Sequence, residues 1–186
     1  MSSTRNSLSS DWSRSLVNPR GYAGDPDIPL TPEGTYEVKK VITVDGTSAA
    51  TLYDRAILAL SDWTGASGKA SAGLDIHDRE AGLVVYKGHE YMWTKKQKRI
   101  SYDVFADFTL KVRCKDGKAQ ITSTIHSMTA ANKVFNLREA IQISSKGNDN
   151  EDRKKEIKDR VDKVKSIADV LLEAMSSRLI VDNDDF

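Results

Sequence analysis

Residues 112–125 read VRCKDGKAQITSTI, and the Asp116-Gly117 pair at their centre decides the fold. Asp-Gly between two alternating runs is a strong hairpin signal, because a two-residue type I′ turn needs positive φ at both central positions. With these two residues as the loop, Lys115 faces Lys118, Cys114 faces Ala119, Val112 faces Ile121, Leu110 faces Ser123 and Phe108 faces Ile125. The pairs from Cys114–Ala119 to Phe108–Ile125 share one face, and it is apolar. The intervening pairs are Arg113 with Gln120, Lys111 with Thr122, Thr109 with Thr124 and Asp107 with His126, and that face is polar. The chain's one cysteine is therefore sent inward, to the opposite side from His126. A nucleophilic cysteine needs a base within hydrogen-bond reach, so this register removes a local Cys-His pair.

Outward from the hairpin, TYEVKKVITVD (residues 35–45) alternates Tyr36, Val38, Ile42 and Val44 against Glu37, Lys39 and Thr43, the period-two pattern of a half-buried strand. After Asp45-Gly46, Thr47 or Ser48 caps a helix predicted to run to about Trp63, with Leu52, Ala56, Ala59, Leu60 and Trp63 on one face and Gly65 just past its end. Two short β-rich runs follow, residues 71–78 and 82–93, separated by an acidic turn. Then come a polar loop, TKKQKR, and the long run from Ile100 to Cys114. The last strand is expected over residues 119–127. After a connector, residues 129–148, Asp149 or Asn150 caps a final helix over about 151–177. In that helix Ile157, Val161, Val164, Ala168, Leu171 and Met175 step by fours and threes into one stripe. The order is strand, helix, four strands, helix. Consecutive antiparallel strands with helices on one face make an α+β domain and leave the other sheet face open.

Composition narrows the function. With 28 Lys and Arg against 27 Asp and Glu in 186 residues, a net charge of +1 provides no global field for polyanions. A single cysteine forms no internal disulfide and no zinc site of its own. The N-terminus has no apolar h-region and no stretch has the apolar length of a membrane span, so the expected location is cytoplasmic or within a virion. Residues 1–34 hold all four prolines, are rich in Ser, Asn and Gly, and lack periodicity. They read as an arm. Its scattered large apolar residues, Trp12, Leu16, Tyr22, Ile28 and Leu30, are what such a segment would use to dock on another surface.

No motif in the chain carries catalysis. GASGKAS (residues 65–71) fails as a phosphate loop, because Trp63 stands where its first glycine belongs and Ala70 where its Ser or Thr belongs. Asp75, His77, Asp78, Glu80, His89 and Glu90 fit no recognised metal spacing, so no metal or other cofactor is expected. The basic run of Lys95, Lys96, Lys98 and Arg99 follows Tyr91 and Trp93, a combination that can contact single-stranded nucleic acid. Lys111, Arg113 and His126 on the polar face form a second candidate contact surface.

Three stretches, LYDRAILALSDW, DIHDREAGLVVYKG and FTLKVRCKDGKAQITSTI, resemble a domain family of unknown function common in Bacteroidota, over roughly residues 35–127. The resemblance implies a fold like the TATA-box-binding protein repeat, β-α-β4-α, and no established catalytic residues. The expectation is a core over residues 35–128, a C-terminal helix over 149–178 packed on it, and an acidic tail over 179–186. Functionally, it is a non-enzymatic assembly protein docking on neighbouring subunits through the arm, in a phage tail or portal-associated ring. The alternative is a module binding a ligand or nucleic acid on the open sheet face.

Overall fold

The computed structural model describes residues 29–67, 73–97, 100–142 and 150–180. Its elements are β1 (Tyr36–Thr43), α1 (Ala49–Ser67), β2 (Gly73–Asp78), β3 (Leu83–Gln97), β4 (Ile100–Lys115), β5 (Lys118–Ala130), β6 (Lys133–Asn136), α2 (Leu137–Gln142) and α3 (Asn150–Ile180). The strands form one curved antiparallel sheet in the order β1-β5-β4-β3-β2, with β6 pairing β5 beyond the end of β1. All three helices pack on the same face.

The hairpin has the register that Asp116 and Gly117 imply, from Lys115↔Lys118 to Phe108↔Ile125. Gly117 takes φ +71° but Asp116 keeps a negative φ, so the turn is not the type I′ expected from Asp-Gly, although the register is the same. This turn also fastens a distant part of the chain. Its Gly117 N–H donates to Thr47 O (2.8 Å), its carbonyl accepts from Val44 N (2.9 Å), and Asp116 Oδ1 accepts from Ala49 N (2.8 Å) in the first turn of α1. Ser48 caps the same turn, accepting from Thr51 N at 3.1 Å. α1 is thus held by one local and one remote acceptor at the end where its own amides lack partners.

Even-numbered β4 residues, Val104 to Cys114, are buried and form the floor of the core. Leu52, Ala56, Ala59 and Leu60 of α1 pack on it, as does the α3 stripe from Ile157 to Met175. Each large side chain in that stripe contributes about 1.5–3 kcal/mol of burial, so α3 is held by packing rather than by its charge-rich sequence. Two reciprocal bonds tie the helix ends: Arg55 Nη1 donates to Leu179 O (3.1 Å), and Arg178 Nη1 to Ala59 O (3.0 Å). Two glycines accept close neighbours. Gly82, at φ +58°, lies where a Cβ would meet Cys114 O at 2.6 Å, and the Phe108 ring lies over Gly88, 2.2 Å from where its Cβ would be.

The structure differs from the sequence reading in further places, and β5 runs to Ala130 rather than residue 127. α1 continues through Gly65 to Ser67 instead of stopping before it, since one glycine in a packed helix costs only about 1 kcal/mol. Lys95 and Lys96 belong to β3, opposite Tyr102 and Ser101, because strand pairing carries the hairpin almost to its tip. The connector holds β6 and α2. Their hairpin turn, Ala131-Asn132, has positive φ at both residues (49° and 62°) without the glycine that usually signals it. α3 runs to Ile180 with Leu179 fully buried, so the tail begins later than residue 179. Finally, Asp107 faces Ser127 rather than His126, because β5 carries a bulge there.

Candidate functional site, a cavity between the sheet end and α3

Bulges build the site. Along β3, residues 83 to 91 place their odd members on the open face, until the ladder shifts between Tyr91 and Trp93. The extra residue, Met92, turns Trp93 to the helix side, opposite Val104. The β5 bulge at His126 does the same for Met128 and Ala130, which pair Ala106 and Val104. Phe135 of β6 then pairs Met128 on that side. Without the extra residues, Trp93, Met128 and Ala130 would face the open side.

Together with Tyr102 of β4 and Ala140 of α2, these residues line a cavity of about 520 Å³. Its other wall is α3, through Glu156, Asp159, Arg160 and Lys163, which are neighbours at i, i+3 and i+4 spacing. The polar groups of that wall are already engaged. Arg160, 8% exposed, donates from Nη1 to the carbonyls of Ile141 (3.0 Å) and Ala140 (3.3 Å), and pairs with Glu156 through Nη2. Lys163 Nζ bonds Asp159 Oδ2 at 2.8 Å and lies 5.2 Å from the centre of the Trp93 ring. Lys133, exposed at the β6 edge of the mouth, makes no ion pair among the described residues. The result is an apolar, aromatic chamber with an ion-paired wall, of the size and lining typical of ligand pockets.

The open face holds a second polar group of residues. Asp107 accepts from Ser127 Oγ and lies 2.6 Å from His89 Nδ1, while His89 stacks on Phe105 with ring centres 5.1 Å apart. Both serine and histidine bond the carboxylate, so the serine is not held by the imidazole as a nucleophile requires. His126, in its bulge, bonds Thr109 Oγ1 through Nε2 (2.8 Å), and desolvation lowers its pKa. Cys114 is buried in the core, and burial pushes its thiol up to about 11.

The proposed contact residues separate. Lys111 and Arg113 stand exposed on the open face. Arg113 shares a shallow depression of about 240 Å³ with Val41, Lys115, Lys118 and Gln120 at the turn end of the hairpin. His126 lies further along that face. Lys98 and Arg99 lie outside the described residues, as do Trp12, Leu16, Tyr22 and Ile28; Leu30 is half-buried against the core. The acidic and histidine residues considered for a metal are scattered. Asp75 pairs Lys87 (3.1 Å), Asp78 accepts from Ala81 N, and His77 is exposed. Among the described residues no three His, Cys, Asp or Glu side chains gather at metal-binding spacing, and no helix is long and apolar enough to cross a membrane.

The sequence reading missed the cavity, although one signal pointed to α2. Asn136 and Glu139 stand at capping-box spacing, and Asn136 Oδ1 does accept from Glu139 N (2.8 Å).

Comparison with known proteins agrees with this architecture. No curated protein is similar to the chain in sequence. A DUF4468 family protein from Bacteroides ovatus shares the fold at a TM-score of 0.65 and 15% identity, covering 86% of this chain and 94% of that one. A TBP-like protein from Parabacteroides distasonis aligns at a TM-score of 0.50 and 12% identity, covering 80% and 96%. At these identities the likeness concerns fold alone. Residues 39–127 match the family described as a domain of unknown function (DUF4468) with TBP-like fold.

Proposed function

We propose that this chain is a non-enzymatic assembly protein whose docking site is the cavity between the sheet end and α3, where it receives an aromatic-anchored segment of a neighbouring subunit. The observation that carries this reading is the cavity itself, preformed and apolar, with its α3 charges engaged in pairs. A wall of paired charges offers little net attraction to a small ion. It does provide the polar surround that keeps water from an inserted apolar anchor. The wiring of Ser127 and His89 onto one carboxylate, and the burial of Cys114, support a role without covalent chemistry. A ring in a phage virion, tail- or portal-associated, is the setting we propose, since an arm joined to a compact docking domain suits repeated subunit contacts.

The test is solution mass by light scattering of the full chain. Ala130→Trp, which fills the cavity, should reduce the assembled species to monomer while the circular dichroism spectrum is kept. Lys133→Glu, at the exposed mouth, should weaken assembly without touching the core. Unchanged mass in both variants would refute the reading.

A second reading has an observation of its own, the exposed basic group Lys111, Arg113, Lys115 and Lys118 at the turn end of the open face. It favours binding of single-stranded nucleic acid. Affinity for a labelled oligonucleotide should then fall steeply with salt, and fall again in Lys111→Glu/Arg113→Glu. An absence of binding at low salt would exclude it.

A further inference from the structure

We infer that the segment received by the cavity is this chain's own N-terminal arm, residues 1–28, seated through Trp12. The inference rests on the docking function proposed above and names its occupant.

Position is the first argument. The root of the arm is fixed: Leu30 packs on the core, and a turn joins Thr31 N to Thr35 O (2.7 Å) and Gly34 N to Thr31 O (2.9 Å). β1 then starts beside Ile125 of β5, on the same edge of β5 that β6 occupies from Ser127 onward. Met128 and Ala130 of the cavity lie three to five residues further along β5, roughly 10–17 Å at strand rise. The arm therefore leaves the domain close to the cavity mouth. The seventeen residues from Trp12 to Pro29 can span roughly 55 Å, several times that distance.

Chemistry is the second argument. The arm's apolar residues are few and separated by Ser, Asn, Gly and Pro, the pattern of isolated anchors rather than of a core. Trp12 follows Asp11, and the mouth carries the exposed cation Lys133 on the β6 side. A tethered anchor acts at an effective concentration in the millimolar range. Made between copies, this contact joins subunits.

Replacing Phe135, at the cavity wall, by the photo-crosslinking residue p-benzoylphenylalanine in the full chain tests the assignment. Peptide mapping should place the crosslink within residues 8–28, and Trp12→Ala should cut its yield about tenfold. A mixture of isotopically light and heavy chains shows where the arm docks: heavy-light crosslinks mark a neighbouring subunit and same-mass crosslinks the same chain. Either pattern, if abolished by Trp12→Ala, supports the assignment. Crosslinks to any other segment, or a yield indifferent to Trp12→Ala, overturn it. If Ala130→Trp still abolishes assembly in that case, the docking function stands and only its occupant is wrong. If Ala130→Trp has no effect either, both fall.

Discussion

Arg160→Met isolates what holds the cavity wall together. The arginine sits in the charge-rich first half of α3 yet is only 8% exposed, and it bridges α3 to the carbonyl end of α2. Methionine keeps the apolar stem and removes the guanidinium. Lost are a well-formed charged hydrogen bond to Ile141 O, a longer one to Ala140 O, and the partner of Glu156. A hydrogen bond to a charged group is worth about 1.5–3 kcal/mol, and breaking a buried pair costs about 3–5 kcal/mol. Glu156 keeps 26% of its side chain in contact with solvent, so the lower end of that range applies. The expected loss is about 3 kcal/mol, read as a lower urea midpoint with unchanged slope. For a domain of this size that corresponds to roughly 6–12 °C in Tm. Arg160→Met/Glu156→Met should recover part of the loss, because it removes both ends of the pair together. A loss below about 1 kcal/mol for the single variant, or no recovery in the double, would refute the assignment of Arg160 as the α2–α3 clamp.

Other sites give expectations of known sign. Asp116→Ala removes the remote acceptor at the α1 N-terminus and should cost about 1 kcal/mol by urea denaturation. Ser123→Ala should stabilise the fold by about 1 kcal/mol in the same assay, because the Ser123 hydroxyl is fully buried without a hydrogen-bond partner. Cys114, with its thiol at about 11, should resist iodoacetamide at pH 8 in the native protein and react once urea unfolds it. The pKa of His126 is lowered by desolvation, with Asp107 opposing and Lys87 adding to the shift. The unfolded state thus binds the proton more readily. Stability contributed by neutral His126 is complete above about pH 6.5 and declines as pH falls through its lower native value. His126→Gln should flatten that decline in thermal melts taken between pH 7.5 and 5.

The hairpin and the α3 stripe were legible because each depends on local chemistry. Asp116-Gly117 fixes a register by turn geometry, and residues 157–175 show a helical period. The cavity was hidden for the opposite reason. It depends on extra residues at Met92 and His126, and a bulge leaves no mark in an alternating pattern beyond a change of phase. Unbroken alternation would put Trp93 and Met128 on the open face. β6 and α2 were lost because the Ala131-Asn132 turn uses positive φ at an alanine, which sequence disfavours. Arg160 was lost among charged neighbours, since only the position of α2 makes that one side chain interior. The hairpin tip fared no better: a run of lysines reads as loop, while pairing opposite residues 100–102 keeps Lys95 and Lys96 in the strand.

The Phe108 ring lying over Gly88 ties two positions that are neighbours across strands and twenty residues apart in sequence. Any side chain at 88 needs the space the ring occupies, and a smaller residue at 108 would leave that space empty. Neither position can change first without loss, so the pair is inherited together or replaced together. Relatives of this chain should sort into two classes, glycine with an aromatic residue or a side-chain-bearing residue with a smaller apolar one, with few sequences in between.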